Sequence, residues 1–187
     1  MFAKGRNKSK SDSVMSDMLS KQRRYDALVR ALHTDVFRYA FWLCGDRQVA
    51  EDITQETFLR AWRSLDSLKD EKASKAWLIT ILRRENARRF ERKQFDYSDV
   101  DQEHLSDAAA HTTEDAAEQY WLRRQIATLE PEYREPLLLQ VIGGFSGEEI
   151  AEMLELNRNT VMTRLFRARN QLRELLEHPS IRGQSNG

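Results

Sequence analysis

Between residues 94 and 118 the sequence carries eight acidic side chains and no lysine or arginine, a local charge of −8. Within 94–113, Asp96, Asp99, Asp101, Glu103 and Asp107 interrupt any apolar stripe. Like charges at this density repel and cannot be folded into a core. A chain of 187 residues divided in this way cannot be built around one uninterrupted helical or strand pattern. It predicts two small units, 25–93 and 114–177, joined by a flexible acidic linker over 94–113. A basic tail at 1–24 and a short tail at 178–187 complete the division.

Charge is distributed in blocks around that linker. Residues 1–24 sum to +5, 25–93 to +3 and 119–187 to zero, so the formal net charge of zero hides a strongly polarised chain. A global charge argument against nucleic-acid binding therefore has no force. Only 7 Gly and 3 Pro punctuate the sequence, which favours helices over many short strands. The fold class expected is all-α.

In the first unit, helical periodicity begins near Tyr25. Leu28, Leu32 and Val36 recur every four residues beside Phe37, Ala40 and Phe41, and Gly45 and Asp46 end the segment. A second helix is expected over 48–65, with Ile53, Thr57 and Ala61 on one stripe and Phe58, Trp62 and Leu65 on another. Its outer face is acidic: Asp52 and Glu56 lie four apart, beside Glu51 and Gln55. A third is expected over 75–93, led by Trp77, Leu78, Ile81 and Leu82. It then turns basic through Arg83, Arg84, Arg88, Arg89, Arg92 and Lys93. By themselves such strips are also the pattern of solvated helix faces.

In the second unit, Ala117, Trp121, Ile126 and Leu129 restore helicity, and Pro131 opens a new helix where its missing N–H costs nothing. Pro136 predicts a kink or a late start there. Ser146-Gly-Glu-Glu149 has the form of a capping box. Asn157 can cap the next helix, in which Val161, Leu165, Ala168 and Leu172 form one buried stripe. Arg158, Thr163, Arg164, Phe166, Arg167, Arg169 and Arg173 occupy its other faces. Two short helices with a tight turn, the second basic outside, suit a helix-turn-helix whose second helix enters a major groove. An ordinary solvated helical hairpin has the same pattern.

The residues themselves argue against several classes. Met1 to Arg24 lacks the apolar stretch of a signal peptide, and no run approaches the roughly 20 apolar residues needed to cross a membrane. Membrane insertion is not expected, and the cytoplasm is the expected location. Met15 and Met18 are alternative start positions. Cys44 is single, and His33, His104, His111 and His178 are scattered, so no metal or cofactor is expected. No triad or phosphate-cradling loop argues for catalysis.

Two separate stretches resemble one family. Thr160-Val-Met-Thr-Arg-Leu-Phe-Arg-Ala-Arg169 is similar to the upstream-promoter-reading helix of extracytoplasmic-function (ECF) sigma factors. Leu129-x-Pro131-x-Tyr133-Arg134-Glu135 and Phe145-Ser-Gly-Glu-Glu-Ile-Ala151 resemble the lead-in of the same domain. Independently, Ala50-Glu-Asp-Ile-Thr-Gln-Glu-Thr-Phe-Leu-Arg-Ala-Trp62 resembles the family's polymerase-binding helix, and Trp77-Leu78 with the arginine run resembles the helix that meets the downstream promoter element.

The resemblance covers about residues 25–176 and implies a set of roles. Asp52, Gln55 and Glu56 would contact core RNA polymerase. Arg83, Arg84, Arg88, Arg89 and Arg92 would hold the downstream element of promoter DNA, with unpaired bases in a pocket. Arg158, Thr163, Arg164, Phe166, Arg167 and Arg169 would read the upstream element. An inhibitory anti-sigma factor is an implied partner. Met162 and Asn159 replace the family's usual basic residue and glycine, and Leu82-Arg83-Arg84 stands where Ala-x-Asn is frequent. The rival class is an operator-binding regulator, which needs a dimer interface or ligand domain that this sequence does not display.

Overall fold

The computed structural model describes the backbone of residues 6–96 and 114–177, and the side chains of 13–92 and 117–177. Among these residues there are seven α-helices and no strand. They are α1 (Arg6–Cys44), α2 (Arg47–Ser64), α3 (Ser74–Asp96), α4 (Glu114–Ala127), α5 (Pro131–Val141), α6 (Gly147–Leu154) and α7 (Arg158–Glu177). Nearly all of the expected acidic linker, and the 178–187 tail, lie outside the described residues.

The expectation of a flexible tail over 1–24 is corrected for residues 6–24, which continue α1 toward the N-terminus. No glycine or proline occurs between Gly5 and Gly45, so nothing in the backbone stops the helix. Periodicity missed this stretch because residues 13–20 bury nothing. Anchoring begins at Lys21, whose Nζ lies 2.8 Å from Asp66, and at Arg24, which donates to the Leu68 carbonyl at 3.2 Å. Tyr25 then donates to the Phe58 carbonyl at 3.0 Å and meets Trp62 edge-on.

Helices α1, α2 and α3 pack against one another. Val36, Tyr39, Ala40, Ala50, Ile53, Phe58, Ala61, Leu78, Ile79 and Leu82 are buried between them. Asp46 caps α2 by accepting from the Val49 amide at 2.8 Å. Gly45, at φ +72°, makes the reversal before it.

In the second unit Pro131 stands at the first turn of α5. The late start that Pro136 could have imposed does not occur, and its ring is buried in the helix. Gly143 donates to the Leu138 carbonyl at 3.0 Å just past the end of α5. A Cβ on Gly143 would lie 2.5 Å from the Leu139 carbonyl oxygen and 2.7 Å from the Phe145 ring. Helix α6 carries the full reciprocal capping box of Ser146 and Glu149. Donation to the Glu149 carboxylate from the Ser146 amide holds its pKa below the ordinary range. Asn157 caps α7 by accepting from Thr160 N at 2.8 Å. Between α6 and α7, Glu155 sits in the left-handed region at φ 55°.

The two units pack together: α5 touches α1, and α6 touches α3. Leu138, Leu139, Ile150, Val161 and Leu165 belong to the same apolar cluster as Val36, Leu78 and Leu82. The sequence reveals each helix's apolar face but not which helices meet, so this shared core was not anticipated.

Candidate nucleic-acid and polymerase interfaces

Burial of Ile53, Thr54, Thr57 and Phe58 against α1 and α3 turns the opposite face of α2 outward. That face presents Asp52 and Gln55 exposed and Glu56 half-buried. Glu56 is shared with the interior of the unit: the Arg60 Nε lies 3.0 Å from Glu56 and 2.6 Å from Glu85. The Nε–H is buried and aligned well with neither oxygen, so these are ion pairs rather than good hydrogen bonds. Beside the strip lies a groove of about 550 Å³ lined by Tyr25, Val29, His33, Gln55, Phe58 and Leu59, among others. Sequence reading missed this groove. Its one signal was Leu59, an apolar side chain off both stripes of α2, and it is 52% exposed.

The arginine run on α3 divides by face. Arg84, Arg88 and Arg92 recur every four residues and are exposed. Arg84 and Arg88 join Arg60, Arg63, Ser64, Ile81 and Glu85 around a cleft of about 240 Å³. Glu85 is 7% exposed, and its carboxylate neutralises both Arg60 and Arg88, the latter at 2.5 Å. That pairing explains how an acid is tolerated inside a basic run. Arg89 is half-buried. Arg83 faces the second unit: its Nε donates to Glu135 of α5 at 2.6 Å and its Nη1 to the Met153 carbonyl of α6 at 2.8 Å. In this packing Arg83 stands apart from the other expected downstream-element contacts, because each helix residue is rotated by about 100° from the last, which turns Arg83 away from Arg84 and Arg88.

On α7, the burial of Val161, Leu165 and Ala168 fixes what faces outward. Thr163, Arg164 and Arg167 line a groove of about 480 Å³ with Glu132 and Tyr133 of α5 and with Asn157, Asn159 and Thr160. Each flanking arginine has an orienting partner. Arg158 pairs with Glu148 at 2.6 Å, Arg164 with Glu132 at 3.4 Å, Arg167 donates to the Tyr133 hydroxyl at 3.3 Å, and Arg169 donates to Gln140. Phe166 is 63% exposed and Met162 42%. Arginine forks and apolar tips side by side match what a duplex offers in its major groove: guanine acceptors, phosphates and thymine methyls.

No helix among the described residues is long and apolar enough to cross a membrane. Cys44 is half-buried, donating weakly to the Asn86 side-chain oxygen at 3.6 Å. Burial pushes its thiol up to about 11, the reverse of a reactive nucleophile.

The class these features define is a two-unit, all-helical protein whose second unit carries a helix-turn-helix. Comparison with known proteins narrows it. Residues 28–103 match the Sigma-70 region 2 family and residues 119–172 match Sigma-70, region 4. The chain is 34% identical over 171 residues to the ECF RNA polymerase sigma factor SigE of Mycolicibacterium smegmatis, covering 86% of this chain and 65% of that one. It is 32% identical over 163 residues to the ECF sigma factor SigL of Mycobacterium tuberculosis, covering 83% and 92%. Among solved structures it resembles the sigma factor RpoE in complex with the anti-sigma factor NepR from Bartonella quintana. There the TM-score is 0.66 at 29% identity, over 84% of this chain and 96% of that one. The chain belongs to the ECF RNA polymerase sigma factor family, whose members are transcription-initiation factors and not enzymes.

Proposed function

We propose that this chain binds core RNA polymerase through the α2 face and delivers it to promoters. In that reading α7 reads the upstream element as duplex, and the α3 arginines hold the downstream element. The observation that carries it is the pairing, in one chain, of an exposed Asp52–Gln55–Glu56 face with a helix-turn-helix whose second helix shows oriented arginines and an exposed Phe166. Carboxylates on α2 would accept charge-assisted hydrogen bonds from polymerase arginines. Arg167 and Phe166, with Thr163, would contact base edges, and Arg158, Arg164 and Arg169 would set register on phosphates. Arg84, Arg88, Arg89 and Arg92 would hold backbone phosphates, and the cleft between Arg60 and Arg88 is a place where an unpaired base can stack on guanidinium planes. Arg83 would join them once it leaves Glu135.

The site of action in this reading is the cytoplasm, and an anti-sigma factor is a further partner, as in the RpoE complex. The α2 strip with its apolar groove is the surface for polymerase. An operator-binding regulator would have no use for that surface. Run-off transcription from fragmented genomic DNA, with core polymerase plus or minus the chain, tests the proposal. New, chain-dependent start sites are expected. Binding to DNA with no chain-dependent transcripts would favour the regulator.

A further inference from the structure

We infer that Met162 determines promoter specificity by reading a thymine methyl group, as the second rung of an apolar pair with Phe166. The inference rests on the proposed upstream reading and goes beyond it, since that reading uses Phe166, Thr163 and the arginines and gives Met162 no part. Along the face of α7 that is turned away from the core, these two are the large apolar side chains left in solvent over the first nine residues. They are 42% and 63% exposed. They lie four residues apart, hence on one face and about 6 Å apart along the axis. At 3.4 Å per base step that is a spacing of about two steps.

Met162 is also held in place. Its sulfur rests over the first residue of α6, where a Cβ on Gly147 would come within 3.2 Å of Sδ. One side of the thioether is therefore supported by the helix-turn-helix itself, and the other is open. A flexible, polarisable side chain seated this way suits an irregular apolar target.

The surroundings choose the partner. Arg158 and Arg169 share the flank of α7 that carries the pair, while Arg164 and Arg167 line the side of the helix toward α5, and each is oriented by a group of its own domain. A partner that must be polyanionic at its edges and apolar at its centre is duplex DNA, with the C5 methyl of thymine as the apolar feature of the major groove. A lysine or arginine at 162 would seek a guanine edge or a phosphate instead. Methionine there shifts the preferred site toward A·T pairs.

Replacing thymine by deoxyuridine removes that methyl and leaves every hydrogen-bonding edge unchanged. The probe is a promoter duplex selected by the full chain with core polymerase from a pool with a randomised upstream region. Each thymine is then replaced singly by deoxyuridine, and holoenzyme affinity is measured. For wild type, one or two replacements should weaken binding about fourfold each, the ratio that roughly 0.8 kcal/mol per buried methyl group corresponds to. Met162→Ala should lose that discrimination at one position, and Met162→Leu should keep it. If Arg167→Ala weakens binding while no deoxyuridine effect depends on residue 162, α7 lies in the groove and Met162 does not read a methyl, which overturns the inference. If neither Arg167→Ala nor any deoxyuridine changes affinity, the upstream reading itself fails and the inference with it.

Discussion

Arg83 joins the two units, and the strength of that junction can be worked from its geometry. Its guanidinium makes two bonds across the interface, to Glu135 at 2.6 Å and to the Met153 carbonyl at 2.8 Å. The side chains are 18% and 36% exposed, so the pair is neither a surface ion pair nor a fully buried one. Exposed pairs contribute about 0.2–1 kcal/mol and hydrogen bonds to charged groups about 1.5–3. A coupling near 1 kcal/mol is expected between the two side chains. Arg83→Ala loses the carbonyl contact as well, and should cost about 2 kcal/mol. Glu135→Ala leaves Arg83 bonded to Met153 and should cost about 1. A double-mutant cycle on urea-induced unfolding, followed by far-ultraviolet circular dichroism, measures the coupling. Scattering measures whether Glu135→Arg expands the chain. Strictly additive single effects, with an unchanged radius of gyration for Glu135→Arg, would refute the idea that this pair clasps the units.

Other consequences concern the two proposed surfaces and the core. Asp52→Arg should abolish co-elution with core polymerase while helicity is unchanged. It is a cleaner change than Glu56→Arg, because Glu56 also pairs with Arg60. Changing Arg84, Arg88 and Arg92 together to Gln should lower the salt dependence of promoter binding by about two to three units of log–log slope, and an unaltered slope would mean that this face does not touch phosphate. Gly143→Ala should cost about 1–3 kcal/mol, since its Cβ would meet the Leu139 carbonyl and the Phe145 ring; a neutral urea midpoint would contradict that contact. Cys44, raised by burial from an ordinary 9.0 to about 11, should be alkylated at pH 8 about a hundredfold more slowly in the folded chain than in urea. The sign follows: the folded state keeps its proton where the unfolded chain has lost it, so this group's contribution falls as pH rises from 9 toward 11. Equal alkylation rates would show the thiol to be open to water.

Much of this was legible in the sequence for local reasons. The Ser146–Glu149 box, the Asn157 cap, Pro131 at a helix start and the Val161–Leu165–Ala168 stripe are short-range signals, and each stands as read. The N-terminal part of α1 escaped because periodicity reports burial, and residues 13–20 bury nothing. Arg83 was grouped with its neighbours because the run was read as a block of charge. A helix distributes such a block over several directions, and α5 lies in one of them. Glu85 was passed over for the same reason, since only the approach of Arg60 from α2 shows why an acid belongs there. The shared core depends on contacts between Leu138 or Ile150 and residues more than 50 positions away, which no local pattern encodes.

The blockwise charges also bear on how two modest readers could act together. The 25–93 unit carries only +3 and the 119–187 stretch carries zero, while the stretch between them carries −8. Affinity for a phosphate backbone scales with the number of cations placed on it, so neither unit alone has the charge of a tight DNA binder. The acidic stretch opposes any general attraction to the duplex. What remains is local: the arginines of α7 and the Arg84–Arg88–Arg92 face of α3. Sites of that kind gain from being presented together, because fixing one raises the effective concentration of the other by orders of magnitude. A docking surface on α2 for a large partner would provide that fixation, and Asp52, Gln55 and Glu56 lie on the same unit as the α3 arginines. On this argument the net charge of zero works for selectivity. Under the proposed reading it would keep the chain off non-promoter DNA by itself, and would leave recognition to the complex in which both readers are held at once.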